Sequence, residues 1–195
     1  MFSYIIGNVT QVRDANLVIE NNGIGYDLTV STTTLAKMGT IGREAQIFTY
    51  LQVNDDGLNL YGFYSMAEKD MFLKLITISG VGPKLAIAVL SGIELERLGY
   101  SIVAEDVKAL SSIKGVGKKT AERIVLELKE KVDVGGLNKD GAAADNSGEI
   151  NDAIAALASL GYSRAEAVKA VTKASETCKT TEEMISFSLK SMNRF

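Results

Sequence analysis

Two near-copies of one short pattern stand thirty-five residues apart: Ile78-Ser79-Gly80-Val81-Gly82-Pro83-Lys84-Leu85-Ala86 and Ile113-Lys114-Gly115-Val116-Gly117-Lys118-Lys119-Thr120-Ala121. Each runs from an apolar residue through Gly-Val-Gly into a stretch that starts a new helix within one or two residues. Glycine admits the positive φ and the close backbone approach that such a turn requires, and a helix start presents unpaired amides with the positive end of the helix dipole. A phosphate fits that arrangement. Pro83 agrees with it, because proline is favoured in the first turn of a helix, where its missing N–H costs nothing. Lys84 and Lys119 hold equivalent places, Lys118 lies beside the second, and Arg123 follows one turn along. Gly80, Gly82, Lys84, Gly115, Gly117, Lys118, Lys119 and Arg123 are therefore the candidate phosphate-binding residues. Contacts of this kind go to the nucleic-acid backbone, so they hold DNA without reading its sequence.

One Gly-x-Gly alone would serve equally as a tight turn between helices. Two copies at matching offsets, both followed by lysine at a helix start, favour the phosphate role. A nucleotide-binding P-loop would need Gly at 112 and Ser or Thr at 119, where Ser112 and Lys119 stand. The dinucleotide fingerprint fails as well, with Leu85 and Thr120 at the third-glycine positions.

A net charge of −3 looks unsuited to DNA until the charges are located. Residues 1–63 carry three bases against six acids, residues 64–132 eleven against nine, and residues 133–195 seven against nine. The middle segment alone is basic, by a margin of two, and that is where the hairpins lie. With no histidine and one cysteine, Cys178, neither a zinc site nor Ser-His-Asp or Cys-His catalysis is expected, and no cofactor is called for. No apolar run reaches eighteen residues, and the N-terminus has no signal-peptide pattern, so a soluble, cytoplasmic protein with no membrane partner is expected.

The pattern divides the chain into a β segment and helical segments. Tyr4–Val12, Leu17–Glu20, Gly25–Val30, Gln46–Val53 and Leu58–Phe63 read as strands, with Asn21-Asn22-Gly23 and Asn54-Asp55-Asp56-Gly57 as turns. Five short strands in residues 1–63 suggest an OB-type barrel, whose closure removes exposed edges. From Met66 the period becomes helical, and residues 64–132 hold the tandem hairpins, the last helix expected over Thr120–Val132. Residues 133–148 are polar and glycine-rich, a flexible linker whose sixteen residues span roughly 20–24 Å. Residues 149–195 read as three short helices. Ser163–Glu166 and Thr180–Glu183 match capping boxes, and Val168, Val171, Ile185, Leu189 and Met192 supply apolar stripes.

Tandem helix-hairpin-helix motifs after a five-stranded barrel, followed by a glycine-rich linker and a three-helix tail, resemble the RuvA family of Holliday-junction branch-migration proteins across essentially the whole chain. Leu60-Tyr61-Gly62-Phe63, Gly80-Val81-Gly82-Pro83-Lys84-Leu85-Ala86 and Gly117-Lys118-Lys119-Thr120-Ala121-Glu122-Arg123 carry the likeness. It implies a homotetramer with the barrels at its centre and paired hairpins holding the minor-groove side of four duplex arms in an open, planar four-way junction. Two tetramers can sandwich the DNA. Asn54-Asp55-Asp56-Gly57 would form the family's acidic pin, where members often have glutamate then aspartate. Two like charges ~6 Å apart at an effective dielectric of ~20 repel by roughly 3 kcal/mol before screening, enough to bias strand paths. Asp55 and Asp56 would thus keep phosphates from the centre, although the same turn would also serve as a solvated β-turn.

The tail resembles the family's motor-binding domain and has the Leu-Gly-Tyr turn of ubiquitin-associated-type (UBA-like) three-helix domains. The likeness implies the hexameric ATPase RuvB as partner and Leu157, Leu160, Gly161 and Tyr162 as motor-binding candidates, each of the large side chains being alternatively core. It also implies the RuvC resolvase as a further partner, and a non-enzymatic role for the chain itself. One departure is the acidic barrel, with only Arg13, Lys37 and Arg43 as bases, which shifts DNA grip toward the hairpins. A helix-hairpin-helix glycosylase or lyase would need a catalytic Asp or Lys in a base-flipping pocket that nothing here supplies. A general duplex binder with a protein-interaction tail remains as a third alternative.

Overall fold

The computed structural model describes residues 2–55, 57–132, 147–175, 177–178 and 180–192. They fall into two compact units, Met1–Leu95 with Ile113–Val116 and Glu96–Ser112 with Gly117–Phe195. The first begins with strands β1 (Tyr4–Arg13), β2 (Asn16–Asn21), β3 (Ile24–Val30), β4 (Glu44–Asn54) and β5 (Gly57–Phe63), closed into a barrel in the order β1-β2-β3-β5-β4. Closure comes from an antiparallel β1–β4 ladder, Tyr4↔Phe48 to Asn8↔Glu44, and a short parallel β3–β5 contact at Thr29↔Tyr61 and Val30↔Gly62. Period-two alternation sends Ile5, Val9, Leu17, Ile19, Leu28, Val30 and Ile47 into the barrel core. All five strands expected from the sequence are present.

A helix that the sequence did not announce, α1 (Thr32–Met38), lies between β3 and β4. Its three threonines are β-branched and read as extended chain. What starts it is Ser31, whose Oγ accepts from Thr34 N–H at 3.0 Å. Next come α2 (Met66–Ile76), capped by Ser65 through Glu68 N–H at 3.1 Å, and α3 (Pro83–Gly92). Phe72 of α2 is fully buried against Phe63, Tyr50 and Tyr61, with ring centroids 4.8, 5.3 and 5.4 Å away, which seats the helix on β4 and β5.

Glu68 is only 1% exposed. Burial raises its carboxyl above the ordinary 4.5, against hydrogen bonds from Ser31, Thr34 and Tyr64 N–H and the charge of Lys37. A carboxyl raised in the folded state stabilises fully below its unfolded pKa and loses that contribution as pH rises through the folded value. The stability advantage of the parent chain over Glu68→Gln, which does not titrate, is therefore expected to shrink as pH rises above about 4.5, at up to about 1.4 kcal/mol per pH unit within the window. Thermal melts of both proteins between pH 4.5 and 8 check this; a constant or growing advantage contradicts it.

α4 (Leu95–Val103) is followed by α5 (Val107–Ser111), capped by Asp106 through Ala109 N–H at 2.9 Å, and α6 (Lys118–Leu128). α6 starts two residues before the expected Thr120 and ends at Leu128 rather than Val132. Its buried stripe is the expected Ala121, Ile124, Val125 and Leu128.

The tail helices are α7 (Ser147–Ser159), α8 (Arg164–Ser175) and α9 (Thr181–Met192). Ser147 and Gly148 belong to α7 rather than to the linker, whose remaining residues 133–146 lie outside the described residues. At Ser163 the capping box is complete: its Oγ and N–H donate to Glu166 Oε2 at 2.6 and 3.0 Å, and Glu166 N–H donates back to Oγ at 3.3 Å. Those bonds hold the Glu166 carboxyl below its ordinary value. Ala153, Ile154 and Leu157 pack with Ala167, Val168, Val171 and Ala174 as buried residues, and α9 contributes Met184 and Ser188. The expected α9 stripe was displaced by one position, since Ile185, Leu189 and Met192 are only half-buried. Among the described residues no helix is long and apolar enough to cross a membrane.

Candidate nucleic-acid interface

The two hairpins repeat in three dimensions as they do in sequence. Gly80 and Gly115 take φ of +88° and +90°, a region where a side chain would be strained. Val81 N–H then closes on Ile78 O at 2.9 Å, and Val116 N–H on Ile113 O at 3.0 Å. Both valines and both isoleucines are buried, so the central residue of each Gly-Val-Gly anchors the turn from below. Gly82 and Gly117 are the helix N-caps, at φ −83°, ψ 171° and φ −79°, ψ 164°, with no side chain capping either helix. Ala86 N–H and Ala121 N–H each make the first helical bond to those caps at 2.9 Å.

The consequence is chemical. Backbone amides of the first turn have no intrahelical acceptor, and the helix dipole adds partial positive charge at the same place. Nothing lies within 4 Å of where a Cβ would stand at Gly82 or Gly117, so an incoming oxygen meets open space. Lys84 is exposed on the first turn of α3, and Lys118, Lys119 and Arg123 are exposed on α6. Lys118 Nζ lies 3.9 Å from Glu122 Oε1, a loose solvent-exposed pair that a phosphate can replace. Exposed Lys114, just before Gly115, was not among the sequence candidates and adds another base at the second turn.

The segment Ile113–Val116 packs on α3. A methyl at Gly92 would stand 2.7 Å from Ile113 Cγ2, and one at Gly115 3.3 Å from Leu85 Cδ1. The second turn thus rests against the helix that the first turn begins, bringing Gly80, Gly82, Lys84 and Gly115 into one unit. Gly117, Lys118, Lys119 and Arg123 belong to the other.

The β4–β5 hairpin ends with the pair Asn54↔Gly57, Gly57 at φ +132°, which leaves a two-residue loop. Asp55 is exposed in that loop; Asp56 lies outside the described residues. Below the tip, Val53 and Leu58 face each other across the ladder at 70% and 71% exposure, so the hairpin stands clear of the barrel wall.

In the tail, Gly161 at φ +95° ends α7, with Tyr162 N–H donating to Leu157 O at 3.3 Å. Leu157 is wholly buried, so it is a core residue of the bundle and presents no side chain to a partner. Leu160 is 61% exposed and Tyr162 half-buried, which leaves these two beside Gly161 at the surface.

Comparison with known proteins covers the same three parts. Residues 1–62 match the RuvA N terminal domain, residues 72–130 the SAM-like helix-hairpin-helix tandem, and residues 148–193 the RuvA C-terminal domain. A relative from Acetivibrio thermocellus, a Holliday junction branch migration complex subunit RuvA, is 40% identical over 201 residues, covering 100% of both chains. A protein of the same name from Alkaliphilus oremlandii is 41% identical over 193 residues, 97% of this chain and 98% of that one. Another, from Pseudomonas fluorescens strain Pf0-1, is 38% identical over 202 residues, 98% of this chain and 100% of its own. With barrel, paired hairpins and three-helix tail in the same order and relatives matched end to end, this chain belongs to the RuvA family of Holliday junction branch migration complex subunits.

Proposed function

We propose that this chain is the non-catalytic, DNA-binding subunit of a branch-migration complex acting in the cytoplasm. It binds four-way junctions irrespective of sequence, holds them open and planar as a homotetramer, singly or as two tetramers on one junction, and recruits the RuvB ATPase hexamer. RuvC resolvase is the further partner on the same junction. The observation that carries this reading is the matched pair of Gly-Val-Gly turns, each opening a helix whose first amides and lysine are free to meet a phosphate. Paired grips of this kind give local affinity without sequence readout. Asp55, and Asp56 beside it in the chain, repel phosphates at the tip of a hairpin that projects from the barrel. Leu160, Gly161 and Tyr162 form the motor contact, and energy for migration comes from the partner.

Self-association, which a fourfold assembly requires, is supported by the outer face of β1. Tyr4 and Ile6 are 52% and 43% exposed there, with Phe48 opposite Tyr4 in the ladder. Neighbouring large apolar groups on one sheet face call for a protein surface, and a second copy supplies it.

Gel shifts with a four-way junction and a linear duplex of equal length test this function. Junction affinity is expected to exceed duplex affinity by about a hundredfold or more, since engagement of several arms multiplies a modest local affinity. Equal affinity would overturn the junction role and leave a general duplex binder. Incision of damaged duplex above background would overturn the non-catalytic role.

A further inference from the structure

The run Ser31-Thr32-Thr33-Thr34, at the start of α1, commits all four hydroxyls to α2 and α3. Ser31 Oγ donates to Glu68 Oε1 at 2.5 Å and Thr34 Oγ1 to Glu68 Oε2 at 2.6 Å. Thr32 Oγ1 donates to Ser91 O at 3.0 Å and Thr33 Oγ1 to Leu90 O at 3.3 Å. Backbone amides add to both sides: Tyr64 N–H donates to Glu68 Oε2 at 3.0 Å and Thr32 N–H to Ser91 Oγ at 3.1 Å. One turn of α1 therefore ties the helix that leads into the first hairpin and the helix that leaves it.

Local phosphate binding has no need of these bonds, because Ile78, Val81 and the glycines build the turn by themselves. Nor is a buried carboxylate an economical way to hold a helix down, since well-packed apolar side chains of similar volume often do as well or better. What hydrogen bonds provide is direction. The aromatic seat of Phe72 on Tyr50, Tyr61 and Phe63 is attractive but non-directional, whereas five hydrogen bonds from the first turn of α1 to Glu68, Leu90 and Ser91 define an angle. The same β5 that carries the acid-tipped hairpin at one end leads at its other end through Tyr64 and Ser65 into α2.

We infer that Ser31, Thr32, Thr33, Thr34 and Glu68 form a positioning brace that sets the angle between the first hairpin and the acid-tipped β4–β5 hairpin, and that preference for a four-way junction depends on it. The second part rests on the junction-binding function proposed above. Avidity across several arms is lost when geometry forbids their simultaneous engagement, even with each local contact intact.

Two measurements on the full-length chain test the brace. The first uses spin labels at Leu58→Cys and Lys84→Cys, with Cys178→Ser, in labelled chains diluted into an excess of unlabelled Cys178→Ser chains, and reads the distance distribution within one protomer of the free protein. Adding Thr34→Val is expected to broaden it, and Thr34→Ser, which keeps the hydroxyl, to restore it; an unchanged distribution in Thr34→Val overturns the brace whatever DNA the protein prefers. The second compares affinities for the four-way junction and linear duplex. Thr34→Val is expected to weaken junction binding by about tenfold or more while duplex binding stays within about twofold. Exposed Thr32→Val, which leaves the buried carboxylate untouched, is expected to shift the ratio in the same sense by less. Equal losses on both DNAs, or no change in the ratio, in variants that melt above the assay temperature would overturn the link to junction preference. A parent chain without junction preference would instead refute the proposed function, and the label distances would still decide the brace.

Discussion

Replacing Lys84 and Lys119 together by alanine is expected to weaken junction binding by about a hundredfold or more at 150–200 mM salt, by the same factor for every sequence. Both side chains are exposed on the first turn of a helix that opens directly from a Gly-Val-Gly turn, and neither supports the core. Each phosphate neutralised by a lysine releases condensed counterions, so the slope of log affinity against log salt reports the number of contacts, at about 0.9 per phosphate on duplex DNA. In a tetramer a single substitution removes four contacts at once, and each is expected to flatten the slope by about three to four. The double variant is expected to flatten it by about seven while retaining residual binding through the amides. A salt titration of each variant checks this; unchanged slopes would remove the lysines from the phosphate contacts even if affinity fell.

Deleting residues 149–195 is expected to leave junction affinity within about threefold of the parent and to abolish branch migration driven by RuvB and ATP. The tail carries its own core, built from α7, α8 and α9, and its bundle residues are distinct from the hairpin residues. A point variant separates docking from folding. Leu160 is 61% exposed, so Leu160→Asp is expected to keep the bundle folded and lose most motor coupling. Leu157→Ala, at a wholly buried position, is expected to cost about 2–5 kcal/mol of bundle stability and to lose coupling only as the bundle melts. Full migration by the truncated protein would end the motor-docking assignment. Full migration by Leu160→Asp would move the contact elsewhere on the tail.

What was legible in the sequence was what local backbone chemistry determines. Gly80 and Gly115 announced their positive φ, Pro83 its helix start, and the alternation of Ile5, Val9, Leu17 and Ile19 its barrel interior. The turn at Asp55, next to the Asn54↔Gly57 pair, followed from Asn-Asp-Asp-Gly. What long-range contact determines was not legible. α1 forms from a β-branched run, and its first turn is bonded to Glu68 and Ser91, some thirty-four to fifty-nine residues away. Glu68 itself occupies a capping position, where a carboxylate ordinarily faces water, and only the packing of α1 buries it. In α9 a serine, Ser188, takes a core place, which rotates the buried stripe by one residue from the pattern its apolar side chains suggest. Leu157 and Leu160 are alike in sequence and opposite in place, because the bundle core claims the first while the turn at Gly161 leaves the second outside.

In the proposed function each hairpin supplies affinity for any phosphate backbone, so preference for a four-way junction would have to come from the arrangement of several hairpins. That proposed arrangement would draw on the barrel twice, through the outward Tyr4 and Ile6 and through the bonds that tie α1 to the helices on either side of the first hairpin. Repetition around a fourfold axis would bring four copies of the acid-tipped hairpin to the crossover and four pairs of turns to the arms.

Native mass measurement of the protein with and without a four-way junction tests this most directly. Chains of 20.9 kDa are expected to assemble in fours when free, and one junction to carry four or eight of them. A monomer or dimer saturating the junction would contradict the fourfold clamp and return the hairpins to the role of a general duplex grip.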